Sequence, residues 1–168
     1  MSNSALRLII LTGSDNPTIQ SAWTELRAFL SEQPQVQVAG VFSALSQIPQ
    51  DLDADMVVVL GGDGSILRGC RQLGQRQLPI LGVNLGRLGF LTDLSPQEFC
   101  TGMPLLCNGQ YSIVEHLMFE CTHHRSDGTF VRDLGLNEVT VTSGGSLRML
   151  DIHLRIDEED VTTFSCDD

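Results

Sequence analysis

The stretch Asp55-Met-Val-Val-Val-Leu60-Gly61-Gly62-Asp63-Gly64-Ser65 decides how this chain is read. Five consecutive apolar residues suit a strand buried on both faces. Such a strand ending in glycines, with one carboxylate among them, has the form of a strand-to-helix turn. Glycine permits close approaches and backbone angles that a Cβ blocks. In an open α/β sheet, ligands bind beyond the carboxyl ends of the strands. Bare N–H groups at a helix start there suit a phosphate. Asp63 is then read in two ways. It is a turn-forming Asp that caps the next helix, or a carboxylate that takes a proton from an attacking hydroxyl or orients Mg²⁺-bound phosphates.

The neighbouring segments extend this pattern. Leu6–Thr12, Val36–Phe42 and Leu78–Asn84 read as further strands. Pro17–Glu32 reads as a helix with Asn16 as its cap and Ile19, Trp23, Leu26 and Leu30 on one face. A short helix is expected over Ser65–Leu73. Strand and helix alternate, so the fold class is α/β, a doubly wound parallel sheet over residues 1–108. From residue 109 the pattern changes to strands and turns. Leu150, Ile152, Leu154 and Ile156 alternate with polar residues, as in a half-buried antiparallel strand. Glu158-Glu159-Asp160 reads as the turn and Val161–Cys166 as the return strand. Arg125-Ser-Asp-Gly128 marks another hairpin. Residues 109–168 are therefore expected to open an incomplete antiparallel β domain, in a piece of a larger protein.

Composition narrows the functions. A formal net charge of −11 argues against a nucleic-acid surface. No apolar run approaches the roughly 20 residues of a membrane span, and Met1-Ser-Asn-Ser4 lacks a basic signal region. Five cysteines without a C-x-x-C pair read as reduced thiols of a cytoplasmic protein. His123-His124 has no metal partners at useful spacing, and no metal ligands are assigned. The chain contains no lysine. A lysine-dependent phosphate loop and Schiff-base chemistry from this chain are thereby excluded.

Two further elements carry chemistry. Gly82-Val-Asn84-Leu-Gly86-Arg-Leu-Gly89-Phe90-Leu-Thr-Asp93 follows the fourth strand, and its three glycines are expected to bring backbone close to a ligand. Phe90 is either core or a platform for a base. Leu136-Asn-Glu-Val-Thr-Val141 reads as a strand entrance with Asn137 and Glu138 on opposite faces.

Together these elements resemble the NAD kinases, the ATP:NAD 2'-phosphotransferases. The resemblance rests on residues 61–65, 82–93 and 136–138, and also covers Arg148-Met149 and Thr162–Asp167. It implies that Asp63 is the general base on the 2'-hydroxyl of the adenosine ribose of NAD. Gly64 would let ribose and phosphates approach, Glu138 would hold ribose hydroxyls, Asn137 would meet the nucleotide beside the adenine, and Phe90 would line the adenine pocket. Arg68 and Arg148 fall at basic nucleotide contacts, and Asp167 at a dinucleotide contact. The implied donor is ATP with a divalent metal such as Mg²⁺, or polyphosphate in some members. A cytoplasmic homo-oligomer is implied for the full-length form. Three departures stand out. Ser65 replaces a common Thr, Asp168 replaces a Gly, and the family's further β domain is absent. Phosphofructokinases and diacylglycerol-type lipid kinases share the first motif, but the loop after the fourth strand differs. A non-catalytic fragment, or a nucleotide-binding partner of a kinase subunit, is the alternative of another class.

Overall fold

The computed structural model describes residues 5–13, 16–86, 89–92, 94–142 and 149–166, the side chain of Cys166 apart. The backbone falls into two compact units, divided between Leu136 and Asn137. The first unit contains β1 (Leu6–Thr12), α1 (Pro17–Ser31), β2 (Val36–Ser43), β3 (Met56–Leu60), α2 (Asp63–Leu73), β4 (Ile80–Val83), α3 (Pro96–Cys107), β5 (Met118–His124) and β6 (Phe130–Leu136). The second contains β7 (Leu150–Ile156) and β8 (Glu159–Cys166). Regular α/β structure thus ends at Cys107, and the β5–β6 hairpin groups with the first unit.

β1 to β4 form one parallel sheet in the order β2-β1-β3-β4. The expected burial of β3 is realised, with all five residues at 3% exposure or less. Alternation along β1 and β3 divides the core in two. Leu8, Ile10, Met56, Val58 and Leu60 meet α1 and α3 through Ile19, Leu26, Leu30, Phe99 and Met103. Ile9, Leu11, Val57 and Val59 meet α2 through Ile66, Cys70 and Leu73. Helices therefore cover both faces, as continuous hydrophobic strands require. At the opposite end of the sheet, Arg7 binds Asp55 through its backbone N–H (2.8 Å), Nε (3.1 Å) and Nη2 (2.6 Å), and also contacts Asp53.

Local signals account for the helix starts. Asn16 accepts the Thr18 N–H at 2.8 Å and Pro17 opens α1. α3, where no helix was expected, begins with a capping box in which Ser95 and Glu98 exchange hydrogen bonds. Its Phe99 is fully buried. α2 begins at Asp63, two residues before its expected start, with Gly62 as the cap.

The strand assignments also need correction. β6 stops at Leu136 because Asn137 adopts φ = 75°, a left-handed geometry that Asn tolerates. The alternation of faces expected over residues 136–141 does not arise. The last hairpin turns at Asp157-Glu158, both at positive φ, so Glu159 and Asp160 already belong to β8. β7 and β8 pair antiparallel as expected. Leu150 and Ile152 are half-buried between exposed Asp151 and His153, as the alternation implies, whereas Leu154, Ile156, Val161 and Phe164 are exposed.

Phe99→Ala should destabilise the chain by about 3–5 kcal/mol, since it leaves a cavity between α3 and the sheet. A denaturant midpoint near the parent's would contradict this assignment of the α3 core.

Candidate active site

The carboxyl ends of β1, β3 and β4 lie side by side. The Gly13 N–H donates to the Leu60 carbonyl at 3.2 Å, and the Gly61 N–H donates to the Val83 carbonyl at 3.0 Å. β1 leads outward to β2, while β3 and β4 continue on its other side. Strand order thus reverses between β1 and β3, where open α/β sheets leave a crevice.

Asp63 stands at this edge, in the first turn of α2. It does not cap its own helix. Oδ2 accepts the Phe90 N–H at 2.8 Å and Oδ1 accepts the Leu91 N–H at 3.0 Å. The Thr92 hydroxyl lies 3.5 Å from Oδ1. The loop after β4 therefore holds both carboxylate oxygens across 27 residues of sequence. These bonds favour the ionised form. The Phe90 N–H, then the Leu91 N–H, hold the Asp63 carboxyl below the usual carboxylate range.

The glycines divide by what surrounds them. Gly61 has φ = 148°, and a Cβ there would meet the Ser65 Cβ at 2.9 Å and its hydroxyl closer still. A Cβ at Gly13 would strike the same hydroxyl. Ser65 thus wedges α2 against the ends of β1 and β3. A Cβ at Gly82 would meet Ile66 Cδ1 at 2.6 Å and Thr92 Cγ2 at 3.0 Å. A Cβ at Gly89 would run into the Asp63 carboxylate. Gly62 and Gly64 have nothing within 4 Å of a Cβ position. The expectation that Gly82, Gly86 and Gly89 all serve ligand approach is therefore corrected. Gly82 and Gly89 make room for the protein itself, and open space lies instead beside Gly62 and Gly64.

Phe90 is 100% exposed, which excludes the core reading. Its backbone N–H holds Asp63 while its ring faces outward. Phe90 and Leu91 line one end of a cavity of about 800 Å³ that follows the outer edge of β4. Arg68 is exposed, and its Nη1 donates to the Gly13 carbonyl at 2.8 Å. It tethers α2 to the end of β1 rather than standing free. Asn137 and Glu138 are exposed and belong to the second unit. Arg148 and Asp167 lie outside the described residues. Gly13, Leu91 and Thr92 were not singled out from sequence. The local signal for Gly13 was the Thr12-Gly13 ending of the first strand, and that for Leu91 and Thr92 was their place in the 82–93 motif.

Among the described residues no three His, Cys, Asp or Glu side chains gather as a metal site. Among the described residues, no helix is long and apolar enough to cross a membrane. Cys70, Cys100, Cys107 and Cys121 are free thiols.

A glycine turn carrying a fixed carboxylate, at the switch point of a parallel sheet, has the form of a phosphate-site turn in an α/β protein. Residues 21–111 match the family model for the ATP-NAD kinase N-terminal domain. The chain belongs to the ATP-NAD kinase family. An NAD kinase of Rhodopirellula baltica is 39% identical over 161 residues, covering 96% of this chain and 51% of that protein. An NAD kinase of Geobacter sulfurreducens is 30% identical over 169 residues, covering 96% and 60%. Among solved structures, yeast NADH kinase complexed with NADH superposes with a TM-score of 0.84 at 21% identity, covering 99% of this chain and 54% of that one. An Archaeoglobus fulgidus NAD kinase in complex with ATP gives 0.64 at 30% identity, covering 96% and 58%. The chain spans about half the length of the curated relatives first matched.

Because its N–H partners favour the charged form, Asp63 should titrate below the ordinary Asp value of about 3.9. The folded-state value is the lowered one. Its contribution to stability is therefore complete above the unfolded value and lost as pH falls through the folded one. A carboxyl ¹³C titration of Asp63 with a midpoint at or above the ordinary value would refute the hydrogen-bonded geometry.

Proposed function

We propose that this chain carries the phosphoryl-acceptor half of an NAD kinase site, with Asp63 as general base on the 2'-hydroxyl of the adenosine ribose of NAD. The observation behind this reading is the carboxylate held by two backbone N–H groups beside open space at Gly62 and Gly64. The first N–H groups of α2 have no intrahelical partners, and the helix start favours negative charge. A phosphate approaching Gly62 and Gly64 would meet those donors. The exposed Phe90 ring would stack on the adenine.

The donor in this reading is ATP, or polyphosphate as in some members. Mg²⁺ would travel with the donor, coordinated largely by phosphate oxygens. Asp63 would accept the hydroxyl proton as the new phosphate ester bond forms. The remaining catalysis is positioning and neutralisation of charge. Arg68 has donors beyond the one given to Gly13 with which to meet a phosphate. Asn137, Glu138, Arg148 and Asp167 keep the nucleotide-contact roles that family membership suggests. A cytoplasmic setting and a homo-oligomeric full-length form belong to the same proposal.

NADP formation from NAD, ATP and Mg²⁺ tests it. The purified chain should be compared with a chimera extended by the C-terminal half of the Rhodopirellula baltica relative. We expect NADP from the chimera. No NADP from either form would overturn the kinase reading, and turnover by the 168-residue chain alone would show a site complete within it. In the active form, Asp63→Asn should lower kcat by at least about 100-fold, the scale of a lost general base, while NAD binding persists. Turnover near the parent rate would remove Asp63 from the proton transfer.

A further inference from the structure

We propose that Gly89 is a positioning residue for the Asp63 carboxylate, and that the missing side chain at 89 is what allows the loop amides to close on it. A Cβ built on Gly89 would come within 2.6 Å of Asp63 Cγ and 2.8 Å of Oδ2, with Oδ1 nearer still. Contacts this short force something to move. The carboxylate is therefore a steric reason for glycine at this position.

Neither partner is free to retreat. Leu91 packs against the core on the α2 side of the sheet. Thr92 is 1% exposed, and its methyl lies against Gly82. On the other side, Asp63 sits in the first turn of α2, which is anchored by Ile66 and Cys70 in the same core. A methyl at 89 is therefore accommodated by expelling the carboxylate from the Phe90 and Leu91 amides. Phe90 has its N–H on Asp63 and its ring in solvent. Gly89 consequently sets the place of the base. The consequence for turnover rests on the kinase reading, whereas the steric link between residues 63 and 89 does not.

A double-mutant cycle separates the two. The parent, Gly89→Ala, Asp63→Ala and the double variant are compared by thermal unfolding of the purified chain. Gly89→Ala should lower Tm in the parent and leave it unchanged when combined with Asp63→Ala. An equal loss in both backgrounds would overturn the proposal, as would a parent-like Tm for Gly89→Ala. If Gly89→Ala alone fails to fold, a folded double variant supports the link and an unfolded one overturns it. In the NADP-forming chimera, Gly89→Ala should lower kcat about 100-fold, the scale of a misplaced catalytic group, with NAD affinity near the parent's. Parent-like kcat would overturn the positioning role. A parent chimera that makes no NADP refutes the kinase reading, and the Tm cycle still decides the link.

Discussion

The burial of β3 on both faces is the constraint on which the rest of the first unit depends. A strand with no exposed side must be flanked by paired strands and covered by helices. Val57 and Val59 commit α2 to one face, and Met56, Val58 and Leu60 commit α1 and α3 to the other. Once β3 is central, its carboxyl end lies between those of β1 and β4, and Gly61 follows at once. The turn into α2 must then fit a narrow space, which Ser65 fills against Gly13 and Gly61. Asp63 emerges from this packing at the sheet edge. Its position is a consequence of the core as much as of its own turn.

What was legible in the sequence was local. The unbroken apolar run of β3, the Asn16-Pro17 start of α1 and the Arg125–Gly128 turn each carry their cause within a few residues. α3 carried one too, in Ser95-Pro-Gln-Glu98, although no helix was expected there. Asn137 shows a limit of another kind. Alternation over Leu136–Val141 fits a strand, yet one residue able to adopt a left-handed φ ends it. The exposed apolar side chains of β7 and β8 show that alternation specifies a face without specifying what covers it. The hydrogen bonds from Phe90 and Leu91 to Asp63 were not legible at all. They join motifs 27 and 28 residues apart, and no local preference encodes that distance.

Glycine makes the same distinction sharper. Gly61, Gly62, Gly64, Gly82 and Gly89 are identical letters in two adjoining motifs. Only their surroundings separate them. Gly61, Gly82 and Gly89 are required by contacts within the protein, while Gly62 and Gly64 border empty space. A glycine that a neighbouring side chain already requires gives no evidence of a ligand. A glycine with room for a Cβ, outside the left-handed region, calls for another explanation. The open pair flanks Asp63, so the functional reading rests on two glycines rather than on the whole glycine-rich pattern.

The hydrogen bonds that fix Asp63 also lower its proton affinity. At first sight this opposes a general base, which works best with a pKa near the operating pH. Phosphoryl transfer changes the requirement. Its transition state is loose, and the attacking hydroxyl becomes strongly acidic only as the new bond to phosphorus forms. A weak base in the right place can then take the proton late, whereas a stronger base that wanders contributes little. Displacing a reacting group by about 1 Å can cost as much as 10²-fold in rate. In the proposed reaction, two backbone N–H groups would therefore exchange basicity for position and keep the carboxylate ionised as phosphate charge approaches. The packing of Leu91 and Thr92 against the core belongs to the same arrangement, because amides that moved would fix nothing.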